Sequence, residues 1–299
     1  MMNIQEITTT LTLWQQDESL WVATNLAARM KALADVAWAQ EVVRLRGRHE
    51  DWTAVAQQAA MLQRELDGIN GHLFRQIRQK IQTGHYDTAA LRLLFNQFTD
   101  YAPEAPPQRH IGEDGLDVLL NGILQVDVLP EPTQVPTADM VHLEVTPARA
   151  ILDMIDQVPL GIDDVFYDLG SGLGHVALLV AWLTGVQVRG VEIDPGYCQR
   201  ARQLAAAFKV ENVQFLAEDA RTAVYDDGTI FFMFTPFTGP MLQAVLARLQ
   251  AEAARRPITL CTYGTVTLDV AEMPSWHCWQ PERLDAFKLC IFRHDLESG

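Results

Sequence analysis

The sequence predicts an α/β fold in which a doubly wound, mostly parallel sheet follows an all-helical N-terminal domain. Three observations predict it. Residues 1–126 carry apolar residues at helical spacing. Residues 165–192 have the pattern of a strand, a glycine-rich turn, a helix and a second strand. Beyond residue 192, short apolar runs alternate with helical patterns, as in an open sheet covered by helices on both faces.

The length and composition are those of a globular protein with room for two domains. Its 299 residues are 48% hydrophobic and 20% charged, which is enough to bury two cores. No run approaches the roughly 18 uncharged apolar residues of a membrane span. The first six residues do not have the pattern of a secretory signal. We therefore expect a cytoplasmic protein that does not bind a membrane.

The net charge and the cysteines narrow the possible partners and sites. A formal net charge of −15 repels phosphate backbones, so we do not expect a nucleic-acid partner. None of the four cysteines belongs to a C-x-x-C pair. We expect them to be reduced thiols, with neither a disulfide nor a metal site.

The N-terminal part of the chain is the predicted helical domain. Apolar residues recur at steps of three and four from Leu62 to Ile81, which predicts one long helix with a single apolar stripe. Asp87 is placed to cap the next helix, and a short helix is predicted over residues 116–124. A proline-rich linker follows. The predicted boundaries are 1–130 for the helical domain, 131–140 for the linker and 141–299 for the α/β domain.

The sequence D-L-G-S-G-L-G at residues 168–174 is the motif around which the second domain is organised. Glycine permits positive φ and close approach of a ligand, and the helix that follows offers unpaired N–H groups at its N-terminus. A dinucleotide-binding turn has the spacing G-x-G-x-x-G. Here the third glycine comes after one residue, and His175 stands where that pattern requires glycine. The motif therefore predicts a nucleotide-binding turn of another kind.

This motif resembles motif I of the class I S-adenosylmethionine (SAM)-dependent methyltransferases. The run D-L-G-S-G-L-G-H-V, followed by G-V-E, is most similar to the Dot1-like members. The resemblance covers about residues 140–299 and implies a seven-stranded sheet ending in an antiparallel pair, SAM as cofactor and methyl transfer as the activity. The residues of the motif that it assigns to the cofactor are Asp168, Gly170, Ser171, Gly172 and Gly174.

Two further acids stand at strand ends. Glu192 ends the second strand, where a carboxylate can accept hydrogen bonds from both ribose hydroxyls of SAM or of NAD. Asp219 follows the third strand, and the pair Asp219–Ala220 resembles the adenine-binding motif of the family. That resemblance implies that Asp219 accepts from the adenine amine while the N–H of Ala220 meets the ring.

The stretch L-E-V-T-P-A-R at residues 143–149 leads into a predicted helix before the first strand. Thr146 is placed to cap this helix, with Pro147 at its first helical position. The Glu-x-Thr opening also resembles Dot1-like lysine methyltransferases and several small-molecule methyltransferases. The resemblance implies a contact between Thr146 and the methionine end of the cofactor. Both roles are open for this residue.

The predicted acceptor side lies at the ends of the fourth and fifth strands. Amine-directed relatives often carry Asp/Asn-Pro-Pro-Phe/Tyr after the fourth strand, and Thr235-Pro236-Phe237 is a partial match. Dot1-like proteins use an asparagine-containing turn there, so a histone substrate is not implied. Thr235 is expected near the transferred methyl group, and Tyr263 either lines the crevice or packs in the core. The candidate catalytic residues are Glu144, Thr235 and Tyr263.

The acceptor predicted from this pattern is an amine, on a protein lysine or a small molecule, or another nucleophile. Two alternatives to a methyltransferase stay open. One is a SAM-binding regulator or scaffold without turnover, favoured by the large helical half. The other is an NAD-dependent oxidoreductase, which only Glu192 supports. His175 is a possible base, but its place in the glycine turn favours packing or hydrogen bonding.

Overall fold

The structure is a computed structural model that describes residues 4–46, 50–98, 113–126, 130–135 and 137–294. The chain divides into two compact units. The first comprises residues 1–101 and 114–127, and the second comprises residues 102–113 and 128–299.

Every element of regular secondary structure among the described residues of the first unit is a helix. Its α-helices are α1 (Ile4–Gln16), α2 (Leu26–Arg46), α3 (Glu50–Gln82), α4 (Thr88–Phe98) and α5 (Gly115–Leu124). The apolar stripe predicted along α3 is confirmed, because Leu62, Leu66 and Ile77 are all buried. Asp87 caps α4 as predicted, since its carboxylate accepts the N–H of Ala90 at 2.8 Å.

The second unit is a seven-stranded sheet with flanking helices. Its elements are α6 (Ala148–Gln157), β1 (Val165–Leu169), α7 (His175–Thr184), β2 (Gln187–Glu192), α8 (Pro195–Phe208), β3 (Val213–Ala217), β4 (Ile230–Phe234), α9 (Gly239–Ala253), β5 (Thr259–Tyr263), α10 (Val266–Ala271), β6 (Trp276–Cys278) and β7 (Cys290–His294). The strand order is β3-β2-β1-β4-β5-β7-β6. The first five strands are parallel, and β7 runs antiparallel to β5 and β6. The predicted seven-stranded, mostly parallel sheet is confirmed.

The central strands are apolar because both faces of the sheet are covered. In β4 the side chains of Phe231, Phe232 and Met233 are fully buried. The first five strands all end at the same edge of the sheet because they are parallel. That edge, which we call the carboxyl edge, brings the ends of β1 to β5 together and is where open α/β sheets bind ligands.

No helix within the described ranges is both long and apolar enough to cross a membrane.

Candidate active site

The glycine turn after β1 needs glycine for its backbone and for its packing. Gly170, Gly172 and Gly174 have φ values of 80°, 51° and 85°, the left-handed region that glycine enters at little cost. A Cβ at Gly170 would lie 2.2 Å from Cβ of Pro236, and one at Gly174 would lie 2.6 Å from the ring of Phe215. The turn therefore brings backbone, rather than side chains, to the carboxyl edge.

Two buried polar atoms beside this turn have no hydrogen-bond partner among the described residues. Asp168 is 3% exposed, and its carboxyl group accepts the N–H of Ala177 in the first turn of α7. Its Oδ2 and the Oγ of Ser171 are unpartnered. Buried polar groups normally have partners, so two such atoms beside a glycine turn fit a polar ligand. Burial, aided by the charge of Glu192, raises the pKa of Asp168 to about 7.

Glu192 connects the end of β2 to the glycine turn. Its Oε2 accepts the N–H of Gly172 and its Oε1 accepts the N–H of Asp194, both at 2.8 Å. Burial raises its pKa above the usual value, although these hydrogen bonds oppose the rise. A carboxylate has about four lone-pair positions. The N–H of Ile193 also contributes a hydrogen bond, so about one position remains for the ribose hydroxyls that Glu192 was predicted to bind.

Asp219 lies at the end of β3, but its carboxylate is already occupied. Oδ1 accepts the backbone N–H of Arg221 at 2.8 Å, and the Arg221 guanidinium binds both carboxylate oxygens, with the shortest contact at 2.6 Å. Hydrogen bonds from Arg221 hold the pKa of Asp219 below its usual value. Ala220 is buried, and its carbonyl accepts the Tyr225 hydroxyl at 2.6 Å. The adenine contacts of Asp219 and Ala220 stay predictions, and that of Asp219 requires Arg221 to share the carboxylate.

Thr146 is buried, but the prediction that it caps α6 is wrong. The capping position belongs to Pro147, with φ −54° and ψ 129°, and no side chain caps this helix. The reason is that the helix begins one residue later than predicted. Pro147, with its extended ψ, is the last residue before the helix, and Thr146 lies outside the capping position. A contact between Thr146 and the cofactor stays a prediction.

Thr235 holds a strained position at the end of β4. Its φ of 37° is rare for a β-branched residue. Its hydroxyl accepts the N–H of Val266 at 3.3 Å and donates to the carbonyl of Tyr263 at 3.4 Å. The side chain of Thr235 therefore joins the ends of β4 and β5.

Tyr263 and Glu144 differ in their surroundings. Tyr263 is 4% exposed, and its ring meets that of Phe234 edge to face, with centroids 5.3 Å apart. Glu144 is exposed, and its carboxylate has no hydrogen bond or ion pair within the part of the chain that the structure describes. The structure thus brings Thr235 and Tyr263 together and places Glu144 on the segment that precedes α6.

That leading segment, residues 130–135 and 137–147, borders the carboxyl edge. Met140 forms an antiparallel bridge with Phe237, and the flanking backbone hydrogen bonds measure 3.2 and 2.8 Å. Farther along, Leu143 lies over the glycine turn, because a Cβ at Gly172 would be 2.4 Å from its Cδ1. Glu144 is therefore next to the residue that covers the turn. The predicted linker at 131–140 stays a prediction, but Thr133 and Gln134 form hydrogen bonds with Asp194, and Met140 forms a β-bridge with Phe237.

His175 begins α7 and is almost completely buried. Burial lowers its pKa to about 4, so the imidazole is neutral near pH 7. A group with this pKa is a weak base, which favours the packing or hydrogen-bonding role over that of a general base.

Asp194 has a role that sequence reasoning missed. The Asp-Pro pattern predicts its cap on α8, which the structure confirms. Its carboxylate also binds Thr133 and Gln134 of the leading segment. Nothing in the local sequence of those two residues signals this contact.

Comparison with protein families gives a match to part of the second unit. Residues 135–224 match the family model described as "Histone methylation protein DOT1". The match spans the glycine turn, Glu192 and Asp219. The strand order of the sheet agrees with the fold that the resemblance implies. The chain carries a class I SAM-dependent methyltransferase domain. SAM is its cofactor, and the resemblance seen in motif I is confirmed by this match.

Solved methyltransferase structures resemble the domain at low identity. An RNA methyltransferase from Salinibacter ruber, in complex with S-adenosylhomocysteine, is 21% identical, with a TM-score of 0.38 over 52% of this chain and 95% of that one. Precorrin-6y C5,15-methyltransferase from Geobacter metallireducens is 18% identical, with a TM-score of 0.39 over 53% and 93%. Neither reaches a TM-score of 0.5, so the assignment depends on the family match and the site. A search of curated proteins gives no match.

Proposed function

We propose that the methyltransferase domain methylates an amine, on a protein lysine or a small molecule, that approaches the ends of β4 and β5. The observation that carries this proposal is the exposed, unpartnered carboxylate of Glu144 beside the residue that covers the glycine turn. An ammonium group is the natural counterion for such a carboxylate. The net charge of −15 also attracts a cationic acceptor over longer distances.

The residues around the glycine turn would hold the cofactor. When bound, SAM supplies a methyl group on a sulfonium that is already activated toward nucleophiles. The chain must therefore bind and orient the two reactants and exclude water. In this proposal Asp168, Glu192 and the glycine turn bind the nucleoside and methionine parts. Thr146 would contact the methionine end of the cofactor, and Asp219 would contact the adenine.

On the acceptor side, we assign different roles to the three candidate residues. Glu144 attracts the ammonium form of the amine and can accept the proton that the amine must lose before it attacks. The hydroxyl of Thr235 is engaged by the end of β5, so this residue would act through its main-chain carbonyl oxygen, which the strained turn orients. Tyr263 supports the turn by accepting the Thr235 hydroxyl with its own carbonyl.

The test is a panel of acceptors assayed for release of S-adenosylhomocysteine. Poly-L-lysine and a polyamine represent amines, a catechol represents hydroxyl acceptors, and transfer RNA tests the prediction that nucleic acid is not a partner. We expect release with at least one amine and none with the catechol or RNA. Release with either of those and not with amines would contradict the proposal. The cytoplasmic location stays a prediction from the sequence.

Glu144→Gln separates the role of this carboxylate from the general effect of charge. We expect the KM for the amine to rise about 2- to 5-fold because attraction of the ammonium group is lost, and kcat to fall as well because glutamine cannot accept the proton. Glu211→Gln removes an equal charge from an exposed residue just before β3, at the opposite edge of the sheet, and should leave KM within about twofold. Equal effects of the two variants would show that only net charge matters.

A further inference from the structure

The carboxylate of Asp194 joins parts of the methyltransferase domain that lie about 60 residues apart in sequence. Oδ1 accepts the N–H groups of Gly196 at 2.8 Å and Tyr197 at 3.1 Å, which caps α8. Oδ2 accepts the N–H groups of Thr133 at 2.6 Å and Gln134 at 2.9 Å. The Thr133 hydroxyl also donates to Oδ1 at 2.7 Å. Among the described residues, Oδ1 thus binds mainly the helix, and Oδ2 binds only the leading segment.

These contacts continue into the cofactor site through hydrogen bonds. The N–H of Asp194 donates to Glu192, and Glu192 in turn accepts the N–H of Gly172. Asp194 and Glu192 are both almost completely buried. Hydrogen bonds to a buried carboxylate are stronger than those in water because competing solvent is absent. The leading segment, Asp194, Glu192 and the glycine turn therefore form one connected network.

The leading segment has a second anchor at the end of β4, where Met140 pairs with Phe237. Between this anchor and α6, Leu143 covers Gly172 and Thr146 is buried. A segment fixed at both anchors is ordered before any ligand arrives. Ordering a chain segment costs conformational entropy, so a segment that is already held adds to affinity by reducing this cost on binding.

We propose that Asp194 is a positioning residue for the cofactor. Its bonds to Thr133 and Gln134 hold the leading segment against the carboxyl edge in the free protein and thereby set the affinity for the nucleoside. The proposal rests on the assignment of the glycine turn as the cofactor site. It gives the stretch predicted to be a linker a part in cofactor binding.

Asp194→Asn tests this because it separates the two functions of the carboxylate. The remaining amide oxygen can cap α8, since asparagine is as good a capping residue as aspartate. The amide nitrogen would replace Oδ2 and face two N–H donors that it cannot accept. We expect calorimetric binding of S-adenosylhomocysteine to weaken about 10- to 100-fold. Amide hydrogen exchange in residues 137–147 of the free protein should rise, and the helical circular dichroism signal should not change.

Two further variants control this experiment. Thr133→Val removes the hydroxyl bond and keeps both N–H bonds, so a loss of about 3- to 10-fold is expected, and Thr133→Ser should restore wild-type affinity. Asp87→Asn changes a capping aspartate of the helical unit in the same way and should leave affinity unchanged.

The possible outcomes distinguish failure of the positioning role of Asp194 from failure of the glycine turn as the cofactor site. Faster exchange in residues 137–147 with unchanged affinity would overturn the positioning role. Unchanged exchange in Asp194→Asn would show that Asp194 does not hold the segment. If the wild-type chain failed to bind S-adenosylhomocysteine, the cofactor assignment and the inference would both fall, whatever the exchange result. Weaker binding together with faster exchange supports the proposal.

Discussion

Replacing Asp168 with asparagine should stabilise the protein while abolishing cofactor binding. Asp168 is buried, its Oδ2 has no partner within the described ranges, and its carboxyl group accepts a hydrogen bond from the backbone N–H of Ala177. An ionised carboxylate in this position is costly to the folded state. Asparagine has nearly the same shape, keeps an acceptor for Ala177 and has no charge at any pH.

The size of the effect follows from the pKa. Burial raises the pKa of Asp168 from 3.8 to about 7, and each unit of difference between folded and unfolded states is worth about 1.4 kcal/mol. Below pH 3.8 the group is neutral in both states and costs nothing. Between pH 3.8 and 7 only the unfolded state ionises, so the folded state loses stability as the pH rises. Above pH 7 the loss is constant at about 4 kcal/mol.

The assay is thermal unfolding of wild type and Asp168→Asn at pH 4.5 and pH 8. We expect the free energy of unfolding of the variant to exceed that of wild type by about 1 kcal/mol at pH 4.5 and by about 2–4 kcal/mol at pH 8. At pH 8 the Tm should rise by roughly 5–12 °C. Binding of S-adenosylhomocysteine should be lost at pH 8, where the wild-type group is ionised and asparagine lacks its second acceptor oxygen. A gain that does not depend on pH, or a loss of stability at pH 8, would refute the reasoning.

Asp227→Asn is a control of opposite sign for this prediction. Burial alone would raise the pKa of Asp227, but hydrogen bonds from Arg189 and Tyr167 outweigh burial and leave the pKa below its usual value. Its ionised form therefore stabilises the fold above the ordinary pKa and ceases to do so as the pH falls through the lowered value. The Asp227 variant should lose stability at pH 8 and match wild type at acid pH.

Two further predictions concern the glycine turn and the adenine site. Gly170→Ala adds a Cβ 2.2 Å from Pro236 at a φ of 80°, whereas Gly185→Ala has a φ of 76° and nothing within 4 Å. In urea unfolding we expect the free energy of unfolding to fall by about 2–4 kcal/mol in Gly170→Ala and by about 1 kcal/mol in Gly185→Ala. Equal losses would show that the contact with Pro236 is unimportant. Arg221→Ala frees the carboxylate of Asp219. Because this ion pair is partly exposed, binding of S-adenosylhomocysteine should tighten by at most about fivefold, and weaker binding in calorimetry would show that Arg221 helps rather than competes.

The glycine turn and the acids at the carboxyl edge were predictable because their signals are local in sequence. Glycine spacing fixes the turn after β1, and acids at strand ends come together wherever parallel strands share an edge. The positions of Asp168, Ser171 and Glu192 at this edge follow from such patterns, and their contacts with the cofactor stay predictions. The occupation of Asp219 by Arg221 could also have been foreseen, since the two residues are only two positions apart.

The rest depends on contacts between distant parts of the chain. The bonds from Thr133 to Asp194 connect residues 61 positions apart, and no local pattern encodes them. Prolines at 130 and 132 correctly indicated non-helical chain, but prolines do not distinguish a free linker from a segment that is hydrogen-bonded to a sheet. The capping error at Thr146 has a local cause, because both Thr146 and Pro147 are compatible with the residue before a helix.

The left-handed backbone of Thr235 also determines which side chains this position can carry without strain. Among residues other than glycine, asparagine adopts this conformation most readily, whereas threonine resists it. The backbone at the end of β4 thus already has a conformation that asparagine adopts more readily than threonine. An amide could therefore be introduced there by a single substitution without redirecting the backbone, at the place where we propose that the acceptor binds.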